Sequence, residues 1–313
     1  MTFGYNVQNM KTRAAIGQIV FAAAVCLSGA ASSAAELAPK VATPAAAAPG
    51  TPGTPGTAPT SPAHAAPAAS RTLFVEDLTW REVQAALNAG MVHAILYAGS
   101  TEQNGPHMTL GKHNRIARWV AERLAQRLGS TLIYPIVPFA PTGDAKEHTG
   151  HMRFPGSVSL HEATFAGLMS DLAWSARAAG FKVIFLMGDH GGGQKALERL
   201  AQTLDQQWRS DHVRVFYVGD LYFKSAAQVS AELTAQHLPQ GEHAGIEDTA
   251  ALMYIDPTAV RFDRLGEASA RTGVNGDPRP ATPALGERLV AIKVDAAYAQ
   301  MRAQLDAAAR GKP

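Results

Sequence analysis

Cysteine is almost absent. The 313 residues hold one, Cys26, and it lies in an apolar stretch near the N-terminus. A disulfide framework is excluded, and so is a cysteine-rich zinc site. A folded region without such staples needs a sizeable hydrophobic core. An excess of one charge is lacking too: 28 Lys plus Arg stand against 26 Asp plus Glu, a formal net charge of +2. No basic run of five or more residues occurs, so nucleic acid is not an expected partner. Beyond the N-terminal stretch no segment is apolar enough to span a bilayer, and no membrane span is expected once that stretch is removed. Internal repeats are not evident.

The N-terminus has the order of a secretory signal. Lys11 and Arg13 supply a positive start, and Ala14 to Leu27 is an apolar core of about the usual 7–15 residues. Ser33-Ala34-Ala35 before Glu36 suits a signal peptidase. Val25 is a poor neighbour for a lipoprotein site at Cys26. Residues 1–35 therefore read as a signal peptide, and the mature protein is expected to be periplasmic or secreted. Residues 36–72 are rich in Ala, Pro, Gly and Thr and nearly uncharged, with the near-repeat Thr51-Pro-Gly-Thr-Pro-Gly-Thr57. Such a stretch has little to bury and is expected to be a disordered, extended linker. Residues 73–313 are the folded domain.

Within that domain, apolar runs of strand length alternate with helical periods. Thr79 and Glu82 make a capping box for a first helix that ends by Gly90. His93 to Ala98 is a strand that breaks at Gly99. Ile116, Val120, Leu124 and Leu128 mark a helix. Leu132 to Phe139 is expected as a strand despite its prolines. His161 to Ala179 is a helix, and Lys182 to Met187 a central strand covered on both faces. Lys195 to Trp208 (helix) and Val213 to Val218 (strand) follow, then helices near Ser225–Leu238 and Gly286–Arg310. The alternation predicts an α/β fold: a single three-layer domain, a mostly parallel β-sheet with helices on both faces. Loops that follow parallel strands gather at one end of the sheet, where ligands bind.

Those loops carry the chemistry. Glu102, His113 and His190 each follow a buried strand beside glycines, and a carboxylate with imidazoles suits zinc, manganese or iron. By spacing alone the set is unspecific, since a lone histidine is more often a hydrogen-bonded structural residue. His93, His148, His161, His212 and His237 have no such context. Gly188-Asp-His-Gly-Gly-Gly193 has the glycines of a phosphate cradle, but no Lys-Ser/Thr follows in the required register.

Gly99-Ser-Thr-Glu-Gln-Asn-Gly-Pro-His107 resembles the signature of the creatininase (creatinine amidohydrolase) family, Gly-Ser-x-Glu-x-His-Gly-Pro-His-Leu-Pro followed shortly by Asp. His151-Met-Arg-Phe-Pro-Gly-Ser157 resembles that family's His-x-x-Phe-Pro-Gly-Thr. Gly188-Asp-His-Gly-Gly-Gly193 resembles Asn-Gly-His-Gly-Gly-Asn, and Glu242-His-Ala-Gly-Ile-Glu-Asp-Thr249 resembles His-Ala-Gly-x-x-Glu-Thr. Gly273-Val-Asn-Gly-Asp-Pro278 resembles the late Gly-Val-x-Gly-Asp-Pro, whose plain reading is a turn. The five stretches keep the family's order over residues 79 to 290.

The resemblance implies a creatininase-like, metal-dependent hydrolase of C–N bonds other than ordinary peptide bonds. It implies Glu102, His113 and His190 as metal ligands. It implies His243 as the group that moves a proton and Asp248 as its orienting partner, although an acidic pair there equally suits a helix N-terminus. His151, Tyr97, Asn104 and His107 are expected to shape the substrate pocket. The chain also departs from the pattern. Asn104 stands where the family has His, His113 where it has Asp, and Gly193 where it has Asn. Gly192 stands where creatininase itself is acidic. A neutral imidazole does not bridge two ions, so one Zn, Mn or Fe ion per chain is expected. The expected function is an exported amidohydrolase that cleaves a cyclic or small amide by metal-activated water. A non-catalytic periplasmic binding protein on the same fold and a metal-dependent lactone or ester hydrolase are the alternatives. A homo-oligomer is expected by analogy.

Overall fold

A computed structural model describes residues 72–311. The expected signal peptide and all but the last residue of the expected linker lie outside these residues.

Four parallel strands form one sheet in the order β2-β1-β3-β4. At its centre, β1 (His93–Ala98) pairs along its whole length with β3 (Val183–Gly188). β2 (Thr131–Ile133) flanks β1, and β4 (Arg214–Tyr217) flanks β3. Successive side chains of a strand face opposite ways. Ile95, Tyr97, Phe185 and Met187 therefore join one core, with α2 (Lys112–Leu128), α6 (Ile246–Ile255) and α7 (Pro283–Ala309). Ala94, Leu96, Ile184 and Leu186 join the other, with α3 (Glu162–Ala179) and α4 (Gln194–Trp208). α1 (Trp80–Asn88), started by the capping box of Thr79 and Glu82, packs on this second core through Val83, Ala86 and Leu87. β1 and β3 are buried on both faces, which is why they read as unbroken apolar runs. The three-layer expectation is met.

A third cluster joins α5 (Phe223–Ala235) to α6 and the start of α7 through Val229, Leu233, Ile246, Ala250 and Leu289. Here α7 comes very close to α6. A Cβ added at Gly286 would overlap the Ala250 carbonyl oxygen, so only glycine permits the approach.

Two expectations need correction. β2 has three residues and stops at Ile133 instead of running to Phe139. Pro135 and Pro138 have no N–H to give to a ladder. The chain still follows β1, through Tyr134 N–H to the Ile95 carbonyl (2.9 Å) and Val137 N–H to the Tyr97 carbonyl (3.0 Å). α2 starts at Lys112, a turn before the apolar period begins. Its first turn buries the polar Lys112 and His113, so His113 is a helix residue and not a loop residue.

The strand order reverses between β1 and β3. From β1 the chain turns outward to β2, then crosses to the other side of β1 to make β3. The crevice beyond the carboxyl ends of two such strands is where open parallel sheets bind ligands. The loops 99–111 and 189–193 both open there. No helix among the described residues is long and apolar enough to cross a membrane.

Candidate active site

Glu102 is the centre of that crevice. It is fully buried, and four imidazoles surround its carboxylate. His113 Nε2 lies 3.0 Å from Oε1 and His190 Nε2 2.8 Å from Oε2. His243 Nδ1 is 3.7 Å from Oε1, and His151 Nε2 is 3.9 Å from Oε2. Burial acts to raise the Glu102 pKa. The adjacent His113 and His190 outweigh it and hold the carboxyl far below its usual range.

The loop that presents Glu102 is shaped by its own side chains. Asn104 Nδ2 donates to the carbonyls of Glu102 (2.9 Å) and Thr109 (3.1 Å), folding the turn back on itself. Gln103 Oε1 accepts the Gly105 N–H, and its Nε2 donates to the Gly273 carbonyl and to His151 Nδ1 (3.1 Å). The Gln103 carbonyl takes the proton on His243 Nε2 (2.9 Å). Gln103 thus sets the tautomers of both rings. His151 carries its proton on Nε2, and His243 turns a bare Nδ1 toward Glu102. Burial, aided by Lys112, lowers the His243 pKa to about 4. Gly192 N–H donates to His190 Nδ1 (2.9 Å), so that ring too carries its neutral-state proton on Nε2.

His113 differs from the other three. Its Nδ1 lies 2.7 Å from Asp189 Oδ2, so both ring nitrogens face carboxylates. Burial and Lys112 act to lower its pKa; Asp189 and Glu102 overcome them and raise it. Asp189 continues the chain of charges. Its Oδ1 accepts from Lys293 Nζ (2.8 Å) and from the Tyr97 hydroxyl (3.2 Å). Burial acts to raise Asp189, and Lys293 and His113 pull it far down. A second buried pair stands alongside. Asp248 Oδ2 accepts from Lys112 Nζ (2.6 Å) and from the Ala244 N–H (2.7 Å).

Above the carboxylate opens a cavity of about 740 Å³. His113, His151, His190 and His243 line it, with Asp189, Asp248 and Glu247. Three expected pocket residues stand elsewhere. Tyr97 is buried beneath Asp189. Asn104 is spent on its own turn. His107 lies 3.0 Å from Thr249 Oγ1, tying the loop to α6. Nor does Asp248 touch His243. Its hydrogen bonds go to Lys112 and Ala244, in the manner of a carboxylate at a helix N-terminus. His243 is placed by Gln103 and by the 273–278 turn, whose Asn275 pairs with it through two backbone bonds.

The donor set suits a divalent ion. Glu102 Oε2 is buried and has no well-directed hydrogen bond, although His190 Nε2 is close. One ligand atom each from Glu102, His151 and His190 falls within 4.8 Å of the others. That group takes His151 in place of the expected His113. His113 still has the bearing of a ligand, because an imidazole whose Nδ1–H is held by a carboxylate presents Nε2 to a metal. Gly192 stands where creatininase itself is acidic. A Cβ added at Gly192 would overlap the Pro141 carbonyl oxygen, so that position cannot carry an acid without moving the loop.

A polar cavity at a switch point, floored by a buried carboxylate among imidazoles, is the equipment of a metal-dependent hydrolase. The family profile of creatininase (creatinine amidohydrolase) matches residues 76–301, and this chain belongs to that family. Creatinine amidohydrolase of Pseudomonas putida is 27% identical over 221 residues, which cover 69% of this chain and 84% of that protein. The mycofactocin precursor peptide peptidase of Mycobacterium tuberculosis is 28% identical over 230 residues, 64% of this chain and 81% of that one. Two solved creatininases, a mutant of Zn–Zn type and a manganese form, share the fold. Their TM-scores are 0.62 and 0.61, at 23% and 22% identity, and each match covers 75% of this chain and 99% of the other.

Sequence reasoning passed over Asp189, Lys112, Lys293 and Gln103. The one signal for Asp189 was an acid beside His190 in a glycine-rich turn.

Proposed function

We propose that this chain is an exported amidohydrolase that opens a C–N bond in a cyclic or small amide, using water activated by one divalent ion. The observation that carries the reading is Glu102, a buried carboxylate ringed by four imidazoles at the β1/β3 crevice. Glu102 and His113, whose Nδ1–H is held by Asp189, would hold the ion, and His190 and His151 would join as donors in the tautomer that frees Nε2. When bound, zinc or manganese lowers the pKa of a bound water and polarises the amide carbonyl.

His243 is the group suited to move protons. Its Nε2–H is anchored on Gln103, and its bare Nδ1 faces the site. It can take a proton from the attacking water and return it to the departing amine. Lys112 and Asp248 fix the start of α6 and, through the Ala244 N–H, the segment that carries His243. A cavity of about 740 Å³ favours a small substrate. Absent donors at Gly192 and Asn104 support one ion and not two. Export rests on the order of charge, apolar core and small residues over positions 1–35.

The test is a panel of lactams, formamides and lactones with zinc or manganese added. The reading expects amide turnover that a chelator abolishes. Turnover of lactones alone would transfer the assignment to an ester hydrolase, and a blank panel with tight ligand binding would favour a binding protein. N-terminal sequencing of periplasmic protein should start between Ala35 and Leu37; a full-length cytoplasmic product would overturn export.

A further inference from the structure

The cavity carries one ionisable group that the hydrolytic machinery does not use. Glu247 sits in the first turn of α6 and lines the cavity. Among the described residues no hydrogen bond or ion pair engages its carboxyl. Every cation on the wall is already matched: Lys112 by Asp248, Lys293 by Asp189, and His113 by Glu102 and Asp189. Glu242, exposed at the edge of the same cavity, is unpaired as well. The unmatched charge offered to a ligand is therefore negative.

Glu247 is half-buried in the cavity wall, and a carboxyl partly withdrawn from water without a partner is unfavourable. Position at a helix N-terminus does not explain it, because that setting stabilises the anion and would lower the pKa. The opposite is found. Burial, with the neighbouring Asp248 adding to it, raises Glu247 to about 7. Lys293 and Lys112 act to lower it but are outweighed, and among the described residues no cation pairs with Glu247 directly.

We propose that Glu247 is a specificity residue that receives a positively charged group of the substrate, an ammonium or amidinium carried beside the scissile amide. The cation would ionise Glu247 fully and form a charge-assisted hydrogen bond in a partly desolvated site. This rests on reading the cavity as the substrate site. It does not depend on which bond is cut.

The test compares ε-caprolactam with α-amino-ε-caprolactam, the same ring bearing an ammonium group. Binding to the zinc-loaded protein is read by calorimetry, so a failure of hydrolysis leaves the result intact. The aminolactam should bind at least about tenfold tighter, since a hydrogen bond to a charged group is worth roughly 1.5–3 kcal/mol. Glu247→Gln should abolish that preference, leaving ε-caprolactam affinity and metal content unchanged. Equal binding of both lactams to the unaltered protein would overturn the proposal without any variant. A preference that survives in Glu247→Gln would overturn it too. If hydrolysis is absent but the charge preference and its loss are seen, the assignment of Glu247 stands and the amidohydrolase reading falls.

Discussion

Asp189 Oδ2 and His113 Nδ1 lie 2.7 Å apart, tying the turn after β3 to the first turn of α2. The pair fixes the tilt of an imidazole whose other nitrogen faces Glu102, and Lys293 neutralises Asp189 from α7. Asp189→Asn should lower metal affinity about 10–100-fold, as for other carboxylates behind a ligating histidine. It should also destabilise the fold by about 3–5 kcal/mol, because Lys293 is left buried and unpaired. Adding Lys293→Met should restore most of the stability and none of the metal affinity. Thermal melts and competition against a chelator separate the two effects.

His243→Ala should reduce kcat by about 10²–10⁴ and leave metal content intact. With its pKa lowered to about 4, His243 is neutral at pH 6, where a free imidazole would be largely protonated. The acid limb of kcat/KM should therefore lie near pH 4 and not near 6.5. A bound cation can only push it lower. An acid limb near 6.5, or loss of metal in the variant, would contradict the role.

Glu247 makes stability depend on pH in an unusual direction. Its folded pKa, about 7, lies above the ordinary value of 4.5. Between those values the folded state binds the extra proton, so this group's contribution to stability falls as pH rises from 4.5 to 7. Glu247→Gln should match the unaltered protein near pH 4. Above pH 7 it should be more stable, by about 1–3 kcal/mol. Melting curves of both proteins at pH 4.5 and pH 8 give the difference directly. A stability difference that does not change with pH would be against it.

Gly192→Asp asks whether a second ion can be recovered by restoring an acid. The account expects no gain in bound metal and a loss of about 1–3 kcal/mol of stability, because the new Cβ meets the Pro141 carbonyl. A second tightly held ion in this variant would show that the loop adapts.

The layers of the fold were legible because β1 and β3 are buried on both faces and the helices repeat their apolar residues regularly. β2 was overread because Val137 and Phe139 supply strand-like apolarity, while Pro135 and Pro138 withhold the hydrogen bonds that define a strand. The helical place of His113 is hidden in the sequence because α2 opens on Gly111 without a capping side chain and on buried polar residues, which leave no helical period. At the site, the residues within local motifs could be named. The residues that tune them could not. Lys112 meets Asp248 136 positions away, and Lys293 meets Asp189 104 positions away. Nothing near either lysine signals burial or a partner. The roles of Gln103 follow from hydrogen bonds at both ends of its amide, which only the folded loop creates.

Metal stoichiometry and turnover, followed together, decide whether one ion does the chemistry. The protein is stripped with a chelator, and zinc or manganese is returned in measured steps while amide hydrolysis and bound metal are followed together. Activity should rise in proportion to bound metal and level off at about one ion per chain, with uptake weakening as pH falls because the ligand protons must leave. Turnover by the stripped protein, or activity that appears only as a second ion is bound, would contradict a single-ion hydrolase built on Glu102.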